Sequence, residues 1–142
     1  MILTPAEVTS LVRLERQCPH DLLGMHPLRD GSGLVVRALM PGARAVEAVP
    51  THDPALPRIQ LKKVHADGLF EGVHRQKAGV YAYDLVVEDA EGRRWQHRDP
   101  YSFLPTLGET DLYLFGQGNE QLLYDKLGAQ LRTIDGVSGV SF

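Results

Sequence analysis

Tyr81-Ala82-Tyr83-Asp84-Leu85-Val86-Val87, then Asp89-Ala90-Glu91-Gly92, then Arg93-Arg94-Trp95-Gln96-His97-Arg98, reads as two strands and the turn between them. Side chains alternate across a strand, so Tyr81, Tyr83, Leu85 and Val87 share one face, opposite Ala82, Asp84 and Val86. After the turn, Trp95 and His97 alternate with Arg94, Gln96 and Arg98, and the strand returns antiparallel. Upstream, Leu34 to Met40 carries Arg37 as its only charge and runs into Pro41-Gly42-Ala43, which suits a type II turn. Ala45 to Val49 is its expected partner strand. Pro50, Pro54 and Pro57 mark a loop, because proline offers no donor to a sheet ladder. Ile59 and Leu61 alternate with Gln60 and Lys62, and Ala66-Asp67-Gly68 turns the chain into Leu69 to Val73. Turn signals fall roughly every ten residues with no helical pattern between the strands. The expected fold is therefore mainly β, an immunoglobulin-like antiparallel β-sandwich.

Helices are expected only at the two ends. Thr4-Pro5-Ala6-Glu7 is a capping box with proline at the first helical position, and Val8, Leu11, Val12 and Leu14 form an apolar stripe that must dock on the body. Pro19 bounds this element. His20-Asp21-Leu22-Leu23-Gly24 reads as one helical turn ended by glycine. Beyond Pro105, Leu112, Phe115, Leu122, Leu123, Leu127 and Leu131 recur at helical spacings broken by Gly116, Gly118 and Gly128, which predicts two short helices. The division is residues 1–18 as an N-terminal helix, 19–110 as the sandwich module and 111–142 as a helical linker.

At 142 residues the chain fits one domain, and a chain of this size buries roughly 68–70% of its unfolded surface without a disulfide or metal. A net charge of -3 with scattered Lys and Arg gives no basic field, which argues against a nucleic-acid partner. The lone Cys18 has no internal disulfide partner, and the start Met1-Ile2-Leu3-Thr4 lacks the basic and apolar regions of a secretion signal. A reduced, cytoplasmic protein is expected. Nor does any apolar run approach the roughly 18 residues of a membrane span.

The residue types that carry chemistry are scattered. His20, His26, His52, His65, His74 and His97 show neither helical i,i+4 pairing nor cysteine partners, so they read as surface or loop residues and no metal site is assigned. Cys18 has no oxyanion loop after it and reads as structural. Asp30, Asp67, Asp89 and Glu91 flank glycines, where turn formation explains them. Gly116-Gln117-Gly118 lacks the third glycine and the preceding strand of a phosphate loop, so no cofactor is expected. Trp95 bears two readings. Its indole stacks on a sugar ring, with Tyr81 or Tyr83 extending the platform, or it is the packing centre of the sandwich. Packing is the favoured reading, since no second exposed aromatic stands at a matching spacing.

A resemblance adds to this reading. His20-Asp21 with Leu23-Gly24-Met25-His26, Asp99-Pro100-Tyr101 with Phe103, Leu112-Tyr113-Leu114-Phe115 with Gly118, Tyr124-Asp125-Lys126-Leu127-Gly128-Ala129, and Asp135-Gly136-Val137 with Gly139-Val140 are similar in order and spacing to the amino-terminal module of bacterial 1,4-alpha-glucan (glycogen) branching enzymes. Glu120 and Gln130 depart from that pattern, standing where the family commonly has histidine. The resemblance implies a parent enzyme that cuts an alpha-1,4-glucan and reattaches the piece in alpha-1,6 linkage, with its catalytic carboxylates in a downstream barrel. It also implies a carbohydrate-binding family 48 module after residue 142, missing from this chain. No catalytic residue is therefore carried onto this chain. Two function classes remain: an accessory module that contacts alpha-glucan, controls chain length or packs on the downstream modules of its enzyme, or a structural or protein-interaction β-sandwich with no affinity for glucan.

Overall fold

The computed structural model describes residues 2–76, 78–103, 109–118, 127–134 and 136–141. These fall into two compact units, Met1–Phe103 and Leu104–Phe142. The first unit holds helix α1 (Pro5–Val12) and strands β1 (Gly24–Pro27), β2 (Leu34–Leu39), β3 (Ala43–Pro50), β4 (Ile59–Lys63), β5 (Leu69–His74), β6 (Tyr83–Asp89) and β7 (Arg94–Arg98). All pairings are antiparallel, in the order β1-β2-β5-β4-β3-β6-β7.

One strand bends this single sheet into the two layers of a sandwich. The start of β4 pairs with β3, Ala48 opposite Ile59, while its end pairs with β5, Lys62 opposite Glu71. Where β5 leaves β4, Gly72 passes so close that a Cβ would stand 2.8 Å from Gln60 O and 2.8 Å from Ile59 Cγ2. Only glycine fits that crossing. Between the layers lie Leu34, Val36, Phe70, Tyr83, Leu85 and Val87 with their buried neighbours. Each such side chain contributes roughly 1.5–3 kcal/mol by leaving water.

The expected pairing of Leu34–Met40 with Ala45–Val49 does not form. Met40 N donates to Gly68 O at 2.7 Å, so β2 stays beside β5, and β3 crosses to the other layer to pair with β4 and β6. Strand β2 is buried on both faces, its outer side covered by the N-terminal segment that carries α1. That outer core gathers Leu3, Val8, Leu11, Leu22, Leu23 and Leu69. The capping box forms as the sequence predicts, with Glu7 N donating to Thr4 Oγ1 and Thr4 N to Glu7 Oε2. The helix stops at Val12, and Leu14, expected on the docking stripe, adopts a φ of 57° and is exposed.

Against this N-terminal segment lies a buried ion pair. Arg37 Nε donates to Glu71 Oε2 at 3.0 Å, Arg37 Nη1 to Leu22 O at 3.2 Å, and Ile2 N to Glu71 Oε1 at 2.9 Å. The pair thus joins β2, β5, the turn before β1 and the chain's first residues.

The second unit contains α2 (Glu109–Gly116) and a hairpin of β8 (Gln130–Ile134) and β9 (Val137–Ser141). The leucine spacing predicts two short helices in the helical linker of residues 111–142. Leu131 instead lies in β8 opposite Val140, because Asp135-Gly136 is a strong hairpin turn signal and Gly136 has a φ of 80°. The second expected helix, around Leu122 and Leu123, lies outside the described residues. Among the described residues no helix is long and apolar enough to cross a membrane.

Removing one member of the buried pair leaves the other charged and uncompensated, so Glu71→Ala is expected to cost about 3–5 kcal/mol in urea unfolding. The double variant Arg37→Met/Glu71→Leu is expected to recover most of that loss. A single variant as stable as the wild type contradicts this account of the pair.

Candidate functional site

The β6–β7 hairpin carries Trp95 and Tyr83, with Tyr81 just ahead of it. Asp89 Oδ1 accepts from Glu91 N at 3.0 Å and Arg93 N at 2.9 Å, closing the turn, and β7 returns with Trp95 opposite Val87 and His97 opposite Leu85. Opposed residues share a face. Trp95 and His97 therefore lie on the side of the buried Val87 and Leu85, at the edge of the sheet.

The other face of the hairpin is held by its own charges. Arg98 Nε reaches Asp84 Oδ1 at 2.8 Å, Gln96 Nε2 reaches Asp84 Oδ2 at 2.9 Å, and Arg94 Nε lies 3.9 Å from Glu88 Oε2. The inward side has fewer partners. Trp95 is 45% exposed, so it is not the packing centre that its spacing suggested. The reason is position: among the described residues β7 is the last strand of its layer.

Tyr83 departs from the expected platform. It is fully buried, and its hydroxyl donates to Oδ2 of Asp99, which is buried as well. Burial first, and then the Asp99 carboxylate, push the phenol well above its usual pKa. A buried ring offers no face to a sugar, so Tyr83 is a core residue. Tyr81 precedes β6, packs against the inner core, and donates its hydroxyl to Pro57 O. From Val87, which faces Trp95, Tyr83 lies four residues along the strand, roughly 13 Å. The three aromatics therefore do not form one surface, and Trp95 alone presents a ring at the edge.

Asp99 also fixes the turn after β7. Its Oδ1 accepts from Tyr101 N at 3.0 Å and its carbonyl from Ser102 Oγ at 2.7 Å, ordering the turn Pro100–Ser102. That turn abuts the start of β1, where Gly24 has a φ of 91° and a Cβ would stand 2.7 Å from Tyr101 O. A concavity of about 250 Å³ lies beside α1 among Ile2, Glu7, Asp21, His26, Arg29 and Val35. Its two carboxylates are engaged, Glu7 with Thr4 and Asp21 with Arg16. Among the described residues no three His, Cys, Asp or Glu side chains converge as metal ligands.

Residues 4–101 match the family model described as alpha-1,4-glucan branching enzyme GlgB, N-terminal domain. The chain belongs to that family. Among curated relatives, the 1,4-alpha-glucan branching enzyme GlgB of Myxococcus xanthus is 39% identical over 96% of this chain. That of Bradyrhizobium diazoefficiens is 40% identical over 97%, and GlgB 2 of Streptomyces coelicolor 40% over 99%. Each alignment covers 18% of the relative, so the chain spans about a fifth of the length of the GlgB proteins it matches.

The sequence placed His97 on the same face as Trp95, as the register bears out, but read it as a surface or loop histidine with no part in the site. Its alternation with Trp95 between Arg94 and Arg98 was the signal that could have included it.

Two outcomes test this geometry. Trp95→Ala is expected to cost only about 1–2 kcal/mol, below the about 3–5 kcal/mol of a buried aromatic truncation, when measured by urea unfolding. Tyr83 carries a raised folded pKa, so its contribution is fully present below the unfolded value near pH 10 and declines as pH rises toward the folded value. Stability of the wild type should therefore begin to fall as pH rises through about 10 and keep falling above it, and Tyr83→Phe should flatten that fall. An equal slope in both proteins would contradict the buried phenol.

Proposed function

We propose that this chain is the non-catalytic N-terminal module of a 1,4-alpha-glucan branching enzyme, serving glycogen biosynthesis in the cytoplasm by holding alpha-glucan for the downstream modules of the same protein. Membership of the GlgB N-terminal domain family supports the setting. The relatives' names supply the substrate class, alpha-1,4-glucan. Trp95 carries the glucan contact. A glucosyl ring has an apolar face of axial hydrogens, and a flat, water-exposed indole held at a sheet edge is the kind of surface on which such a face stacks. On either side of that indole, Asp84 and Glu88 tie Arg98, Gln96 and Arg94 across to β6, which holds the strand that carries it in register.

Electrophoresis of the 142-residue chain through gels with and without glycogen tests the proposal. Retardation by glycogen is expected for the wild type and its loss for Trp95→Ala, with both proteins folded. A wild type that migrates identically in the two gels would support the purely structural alternative, and a Trp95→Ala variant still fully retarded would move the contact elsewhere.

A further inference from the structure

The inward side of β7 holds one more group that the fold does not satisfy. His97 is partly exposed, yet its Nδ1 is buried with no hydrogen-bond partner among the described residues. A neutral imidazole carries one proton, on either nitrogen. Placed on Nδ1, that proton would be a buried donor with nothing to receive it, a costly arrangement; an unused acceptor lone pair there costs less. The proton therefore sits on Nε2, and burial of Nδ1 fixes the tautomer. Two residues along a strand span ~7 Å, so this donor lies within reach of a sugar whose ring rests on the Trp95 indole. Both side chains project to the same side, as their pairing with Val87 and Leu85 dictates. The hairpin's other side differs in kind, since Arg94, Gln96 and Arg98 there already meet Glu88 and Asp84.

We infer that Trp95 and His97 form a two-point alpha-glucan subsite, the indole stacking on a glucosyl ring and His97 Nε2–H donating to a hydroxyl oxygen of that sugar or the next. This rests on the glucan reading above and adds a polar contact that fixes the orientation of the stacked ring. Aromatic stacking alone tolerates many flat apolar surfaces; a donor at a set distance selects a polyhydroxylated one.

Ring-nitrogen NMR of the 15N-histidine-labelled 142-residue chain tests it, with maltoheptaose as the probe and the His97→Gln variant assigning the resonances. The free chain is expected to show the tautomer protonated on Nε2, and added maltoheptaose to shift His97 Nε2 saturably. Affinity of His97→Ala should fall about fivefold to tenfold, the loss of one hydrogen bond. Maltoheptaose binding that depends on Trp95 but leaves the His97 nitrogens unmoved would overturn the two-point subsite and leave the glucan reading intact. Absence of any binding would overturn both. A ring protonated on Nδ1 in the free chain would overturn the donor assignment even if sugar binds, and this spectrum of the wild type decides the matter should His97→Ala fail to fold.

Discussion

Tyr83 donating to Asp99 is the contact on which the architecture of the edge depends. The phenol stands in the centre of the inner core and the carboxylate at the end of β7, both buried. A buried carboxylate is costly unless it is hydrogen-bonded, and here it receives the phenol and the Tyr101 amide. Satisfying it requires β7 to lie in one register against β6. A slip of one residue would carry Asp99 out of reach and exchange the two faces of β7. The same bond therefore decides that Trp95 and His97 look inward at the edge while the arginines look out.

A second constraint closes the sandwich from the opposite side. Arg37 and Glu71 are paired against the N-terminal segment, where they gather Leu22 O and Ile2 N. The helix is only eight residues long and would be marginal alone. Its Val8 and Leu11 complete the outer core over β5, and the ion pair ties the residues before the helix to the sheet. Strands β1 and β7, the two edges of the one curled sheet, are brought together by the Pro100–Ser102 turn that Asp99 orders against Gly24.

Much of this was legible in residue order, because local rules and packing agreed. The capping box at Thr4, the β4–β5 hairpin around Gly68 and the Asp89–Gly92 turn are short-range devices, and each forms where its residues stand. What escaped depends on contacts distant in sequence. The partner of β2 is set by Met40 meeting Gly68, and nothing between Leu34 and Val49 announces it. Arg37 was visible as the lone charge of an apolar strand, but Glu71, 34 residues away, was not visible as its partner. Burial of Tyr83 and exposure of Trp95 depend on which strand is central and which is last, a property of the whole sheet. At the C-terminal end, leucine spacing pointed to helix, yet Leu131 lies in the hairpin of β8 and β9, where Gly136 takes a φ of 80°.

The central claim is that a sugar rests on Trp95. As the chain's only tryptophan, Trp95 reports on itself without substitution. Its fluorescence, recorded while maltoheptaose is added to the 142-residue chain, is the most direct measurement. The account predicts a saturable blue shift as the glucan displaces water from the half-exposed indole, reversed when the glucan is digested. An emission spectrum unchanged up to millimolar maltoheptaose would contradict it.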